Sequence, residues 1–166
     1  MSWMLATTAL VAALACRAAK PADADTGRRV MAFDSTVLRI VSAGGDTTRW
    51  RVELATTPQQ RTMGLMERQA LPADAGMLFT YEEMQPADAG FWMYRTRIPL
   101  DIAYADSTGT VRVVLRMEAC PTALASGCPT YPPGTRYQYA LEVNAGAFAA
   151  RGVGVGSRIL LDDRRR

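Results

Sequence analysis

The sequence predicts an α+β, β-rich domain: a mostly antiparallel, strongly curved or barrel-like sheet with one capped helix and a second short helix. Three observations predict it. Apolar and β-branched residues recur in short runs, most runs are joined by brief Gly-, Asp- and Ser-bearing connections, and only one segment carries a full helix-start signature.

Residues 36–41 and 48–55 gather β-branched residues on either side of Gly44-Gly45-Asp46, whose glycines supply the positive φ of a tight hairpin. Thr57-Pro58-Gln59-Gln60 then sets a hydroxyl at the N-cap, Pro at the first helical position and Gln three residues after the cap, which is a capping box. That helix is expected to run to Arg68 or Gln69 through Gly64. Phe91-Trp92-Met93 opens a strand in which Phe91 and Met93 point one way, Trp92 and Tyr94 the other. Residues 100–105 and 110–117, joined by Asp106-Ser107-Thr108-Gly109, form a second hairpin, and residues 136–143 alternate as another strand. A short helix over 145–151, stopped by Gly152, precedes a closing strand at 157–161.

Residues 3–15 form an apolar, small-residue run, far short of the roughly 20 residues a helix needs to cross a bilayer. The run reads as a signal-peptide core ending in Ala13-Leu14-Ala15, the small-x-small pattern that signal peptidases accept. No Lys or Arg precedes it, so the true start is expected upstream. The bond between Ala15 and Cys16 also suits lipoprotein processing, although Ala13 stands where Leu is preferred and Leu14 where a small residue is. The expected organisation is a signal peptide over 1–15, a flexible tether over 16–35, one globular domain over 36–163 and a basic tail over 164–166. The protein is expected to be exported, either periplasmic or an outer-membrane-anchored lipoprotein.

Three cysteines make an odd count in an exported chain. Lipidation of Cys16 accounts for the odd one. Cys120 and Cys128 then pair as a disulfide across a Pro- and Gly-bearing loop, adding about 2–3 kcal/mol by restricting the unfolded chain. Redox and zinc roles are weaker readings, because the spacing is not C-x-x-C and the chain has no His.

The net charge of +3 comes from 19 basic and 16 acidic residues spread along the chain. No basic stripe stands out in the sequence, which disfavours nucleic acid as a partner. The membrane is expected as a partner only through a lipid at Cys16, with Arg164-Arg165-Arg166 as a solvated end. No cofactor is expected.

Without His, the Ser-His-Asp and Cys-His arrangements are excluded. The acid–base candidates are carboxylates, chiefly Asp101 and Glu142, which two-carboxylate chemistry on a sugar would need in one cleft. Either residue serves equally as a structural partner of an Arg or a backbone N–H. Met63 and Met66 stand at i and i+3, and Met77, Met84 and Met93 follow; thioethers suit Cu(I), yet Met also fills gaps in cores. Trp92 offers a flat indole and an N–H for a ligand, or packs on the capped helix.

Several motifs resemble, in order, the family called domain of unknown function 192: Arg61-Thr-Met-Gly64-Leu65-Met66-Glu-Arg68, Leu71-Pro72, Gly76-Met77-Leu78-Phe79, Phe91-Trp92-Met93, Thr96, Ile98-Pro99-Leu100-Asp101, Leu141-Glu142 and Ala145-Gly146. The family usually has Lys-Asn-Thr after Phe-Trp-Met, where this chain has Tyr94-Arg95-Thr96. The resemblance implies a compact β-rich domain, supports the pairing of Cys120 with Cys128, and carries no assigned function. Polar residues interrupting these apolar motifs, Arg61, Arg68, Trp92, Thr96, Asp101 and Glu142, are the expected ligand-binding surface of a non-catalytic cell-envelope domain with a small pocket or groove. Its partner would be a small molecule or an envelope protein. The alternatives are a carboxylate-dependent envelope enzyme using Asp101 and Glu142, and a copper protein using Met63, Met66, Met77 and Met93.

Overall fold

A computed structural model describes residues 31–160; the expected signal peptide, Cys16, most of the tether and the basic tail lie outside the described residues. The chain forms β1 (Asp34–Val41), β2 (Thr47–Ala55), α1 (Pro58–Met63), β3 (Ala75–Gln85), β4 (Phe91–Trp92), β5 (Leu100–Ala105), β6 (Val111–Met117), β7 (Thr130–Tyr131), β8 (Tyr137–Asn144) and β9 (Arg158–Leu160). Seven strands build one strongly curled half-barrel sheet in the order β6-β5-β8-β3-β2-β1-β9, while β4 and β7 form a separate ribbon. All pairs are antiparallel except β2 with β3, whose parallel crossover is supplied by α1 and the turns after it. The curl brings the sheet's two ends together: Val111 N–H donates to Ser157 O at 2.8 Å, and Ile159 N–H to Gly109 O at 2.8 Å.

Both faces of the central strands are covered. One cluster, including Leu38, Ile40, Trp50, Val52, Leu78, Ala103, Val111, Leu141, Val143 and Ile159, draws on every strand of the sheet and so fills the curl. The opposite face carries Met77, Phe79, Leu100, Ile102, Tyr104 and Ala140, covered by Leu65, Met93 and Phe91. Edge-on ring contacts link Phe79 to Phe91 at 4.8 Å and Phe91 to Tyr104 at 5.7 Å. Tyr104 Oη also accepts from Phe91 N–H and donates to Tyr131 O, so one buried hydroxyl ties both strands of the small ribbon to the main sheet.

Two expectations need correction. The capped helix ends at Met63, several residues early, because Gly64 leaves the helix at φ 48° and ψ −135°. A Cβ there would stand 3.4 Å from the Phe79 ring, so the glycine also permits a close approach. The expected helix over 145–151 is a turn closing in a 3-10 segment, Ala149–Arg151, which Gly152 ends at φ 65°. The N-terminal capping box is present, with Gln60 N–H donating to Thr57 Oγ1 and Thr57 N–H to Gln60 Oε1. Cys120 and Cys128 are joined by a disulfide.

The longest strand, β3, has no strand signature in the sequence. Its Gly76-Met77-Leu78-Phe79 motif is apolar without alternation because both faces are buried. Gly76 lies against β8, where a Cβ would meet Glu142 O at 2.5 Å and Val143 Cγ1 at 3.0 Å. The first obstacle is backbone in a paired strand and cannot move aside. Gly76→Ala is therefore expected to destabilise the domain by about 2 kcal/mol or more, read as a lower urea midpoint; an unchanged midpoint would show that β3 and β8 can separate there.

Candidate functional site

Strand register decides where the candidate carboxylates go. Glu142 on β8 stands directly between Met77 of β3 and Ile102 of β5, and shares their face of the sheet. Asp101 pairs with Val143 and therefore projects to the opposite face. The two carboxylates that the alternative enzyme reading requires in one cleft do not share one.

Their surroundings differ as much as their directions. Asp101 is 5% exposed and fully engaged, accepting from Arg116 Nε at 2.5 Å and from Gly146 N–H at 2.6 Å. It fixes the turn after β8 to the β5–β6 hairpin. Glu142 is 4% exposed, and its carboxyl has neither a hydrogen bond nor an ion pair among the described residues. No side-chain polar atom among the described residues is both sealed and unpartnered, so the Glu142 carboxyl oxygens must touch open space.

That space is a cavity of about 30 Å³, lined by residues 61–66, Phe79, Phe91, Trp92, Thr96 and Glu142. Four of the six expected ligand residues, Arg61, Trp92, Thr96 and Glu142, thus meet at one place. The α1 C-terminus supplies Arg61, whose Nη1 donates to Thr56 O at 2.6 Å and Thr80 O at 3.0 Å while its guanidinium lies 4.7 Å from the centre of the Tyr81 ring. Thr96 is buried, its Oγ1 directed to Tyr94 O at 3.4 Å. Trp92 is 40% exposed and leans on Tyr94 with ring centres 5.4 Å apart, whereas Phe91 and Met93 turn inward. The alternation expected for this segment is what the structure has.

Arg68 is absent from the lining and forms a two-pronged pair with Glu53, at 2.5 and 2.6 Å, that fastens the turn after α1 to β2. Met77 and Met93 are wholly buried in the core, whereas Met63 and Met66 line the cavity. Only two thioethers therefore share that space, fewer than the three that a Met-only copper site needs. No group of three Asp, Glu, Cys or His among the described residues is placed to hold a metal ion.

A family model for domain of unknown function 192, described as "Uncharacterized ACR", matches residues 39–161. The chain belongs to this family. A solved structure from Sinorhizobium meliloti, described as a candidate transcription regulator, is 34% identical; the match covers 78% of this chain and 95% of that one, with a TM-score of 0.69. A protein of unknown function from Novosphingobium aromaticivorans is 27% identical over 91% of this chain and 99% of its own, with a TM-score of 0.67. No curated protein matches the chain.

This member's departure from the family pattern has a structural cost and a remedy. Arg95, standing where the family usually has Asn, adopts φ 56°, a conformation that Asn tolerates far better than Arg. Arg95 Nε donates to Glu67 Oε1 at 2.6 Å and Glu67 N–H to Arg95 O at 2.8 Å. Arg97 grips the second Glu67 oxygen, and the two arginines hold that carboxyl below its usual range. The paired charges hold the segment that carries Thr96.

The tyrosines around Glu142 escaped the sequence reading, since nothing in their spacing marks them. Tyr81 and Tyr104 both feel its charge, and burial raises the pKa of each.

Burial pushes the Glu142 carboxyl up to about 8 from an ordinary value of 4.5. The folded state therefore holds a proton that the unfolded state releases above pH 4.5. Wild-type stability must fall as pH rises from about 4.5 and level off above about 8, at roughly 1.4 kcal/mol per pH unit within that window. Glu142→Gln, neutral at every pH, is expected to match the wild type near pH 4.5 and to melt several degrees higher at pH 8. Parallel melting curves across that range would contradict the burial.

Proposed function

We propose that the protein is a non-catalytic binding domain of the cell envelope, exported and held either in the periplasm or at the outer membrane through Cys16, whose ligand enters the cavity beside Glu142. The observation that supports this reading is the carboxyl itself. A buried polar group without a partner costs about 1–3 kcal/mol, and more when charged. The fold satisfies Asp101, Thr96 and Arg61 from its own backbone and side chains but leaves Glu142 facing open space. A ligand group or bound water would supply what the protein does not.

The enzyme reading loses its premise, because the two acids lie on opposite faces of one sheet. The regulator description of the Sinorhizobium protein is not carried over. Arg51, Arg68, Arg95, Arg97, Arg112 and Arg116 each face a carboxylate. Among the described residues Arg39, Arg49, Arg136 and Arg158 remain exposed without an ion pair to a carboxylate. Four such charges are few against the roughly 6–10 phosphate contacts of typical duplex binders.

Native mass spectrometry of protein purified from an envelope fraction tests this reading. The expected result is a small mass that leaves on denaturation and is missing from Trp92→Ala, whose melting temperature should change little because its indole is 40% exposed. The denatured mass also reports lipid on Cys16. A bare mature chain, with Trp92→Ala indistinguishable from wild type, would overturn the reading.

A further inference from the structure

We propose that the cavity takes a primary ammonium group, the –NH3⁺ head of a small amine or of a longer amine-bearing ligand, which forms an ion pair with Glu142. This inference rests on the binding reading above and gives the ligand its chemistry.

Charge, size and walls point the same way. Glu142 is flanked across the sheet by Met77 and Ile102, which offer it nothing polar. The charged or titratable groups around it are Tyr81 from β3, Tyr104 from β5 and Arg61 from α1. Burial keeps both tyrosines neutral near physiological pH. Arg61, the only cation in the lining, is held through Nη1 by Thr56 O and Thr80 O with its guanidinium over the Tyr81 ring, and forms no ion pair with Glu142. No cation among the described residues is paired with Glu142, so a ligand's ammonium group would be the counter-charge that lets it ionise.

A volume of about 30 Å³ exceeds the roughly 10–15 Å³ that a cavity needs to hold one water, so an –NH3⁺ head fits. The lining adds Phe79, Phe91, Trp92, Met63 and Met66, aromatic and thioether side chains of the kinds that favour a cation's head and its alkyl stem. Trp92, half out in solvent, stands where the rest of the ligand would emerge.

The step balances simply. The carboxylic acid of Glu142 loses its proton to solvent, the ammonium keeps all of its own, and the pair is neutral. Binding therefore releases about one proton below pH 8, where the empty site is protonated. Amine affinity should fall about tenfold per pH unit below that point. Above it, affinity holds until the amine itself deprotonates, at about pH 10.

The test is titration of the full chain with n-butylammonium chloride and with 1-butanol, followed by amide NMR shifts at Phe79, Thr96 and Glu142. At pH 8.5 the amine is expected to bind at least tenfold more tightly than the alcohol. Glu142→Gln, checked for an intact melting transition, should erase that preference, and calorimetry at pH 7 in two buffers of different ionisation enthalpy should show proton release. Should Glu142→Gln fail to fold, the pH dependence of wild-type binding decides alone. Equal binding of amine and alcohol, or amine binding without pH dependence, would overturn the ammonium assignment while leaving the cavity as a ligand site. No shift with either probe would overturn it too, and with no co-purifying mass the binding reading falls as well.

Discussion

A sheet buried on both faces cannot tolerate a polar side chain in its central strands unless something answers it. This constraint organises the molecule. The interior of the curl is apolar from every strand, and the opposite face is roofed by the turn after α1, the β4–β7 ribbon and Met93. Asp101, at the margin of one face, is answered by Arg116 and by the Gly146 N–H. Glu142, in the middle of the other, is answered by no side chain or backbone group among the described residues, and the roof above it is where the cavity opens.

The roof is held by features that look unrelated in the sequence. The disulfide closes the loop from Cys120 to Cys128, Cys120 N–H donates to Thr96 O at 2.9 Å, and Tyr94 Oη donates to Ala123 O at 3.2 Å. The same loop leads into β7, which pairs Thr130 with Trp92 and Tyr131 with Phe91. The staple thus restrains the aromatic wall of the cavity. On the other side, Arg68 with Glu53, and Glu67 with Arg95 and Arg97, tie the turn after α1 to β2 and to the Thr96 segment. The exposed Glu67 pairs are worth little each in stability. Their effect is positional, fixing two walls against each other around one carboxyl.

The sequence discloses the sheet-forming hairpins and the capping box because those signals are local: glycines at a reversal, and a hydroxyl and an amide at fixed offsets. It conceals β3, since burial on both faces removes the alternation that marks a strand. Helix length misleads for a related reason. Gly64 reads as a tolerable weak point in a helical pattern, whereas the Phe79 ring packed beside it, contributed by a later strand, favours the exit there. The cavity was legible as a set of motifs containing Arg61, Trp92, Thr96 and Glu142 but not as a place, because their meeting depends on the register of β8 against β3 and β5. That same one-residue parity separates Asp101 from Glu142.

The central claim is that Glu142 is buried without a partner among the described residues and stays protonated at neutral pH until a ligand answers it. Its side-chain carboxyl carbon, followed by NMR in uniformly ¹³C-labelled ligand-free protein from pH 4 to 9 and assigned by its loss in Glu142→Gln, tests this most directly. Titration with a midpoint near 8 is the predicted result. A midpoint in the ordinary range near 4.5 would mean that water or a neighbouring cation already satisfies the carboxylate, and would contradict the account.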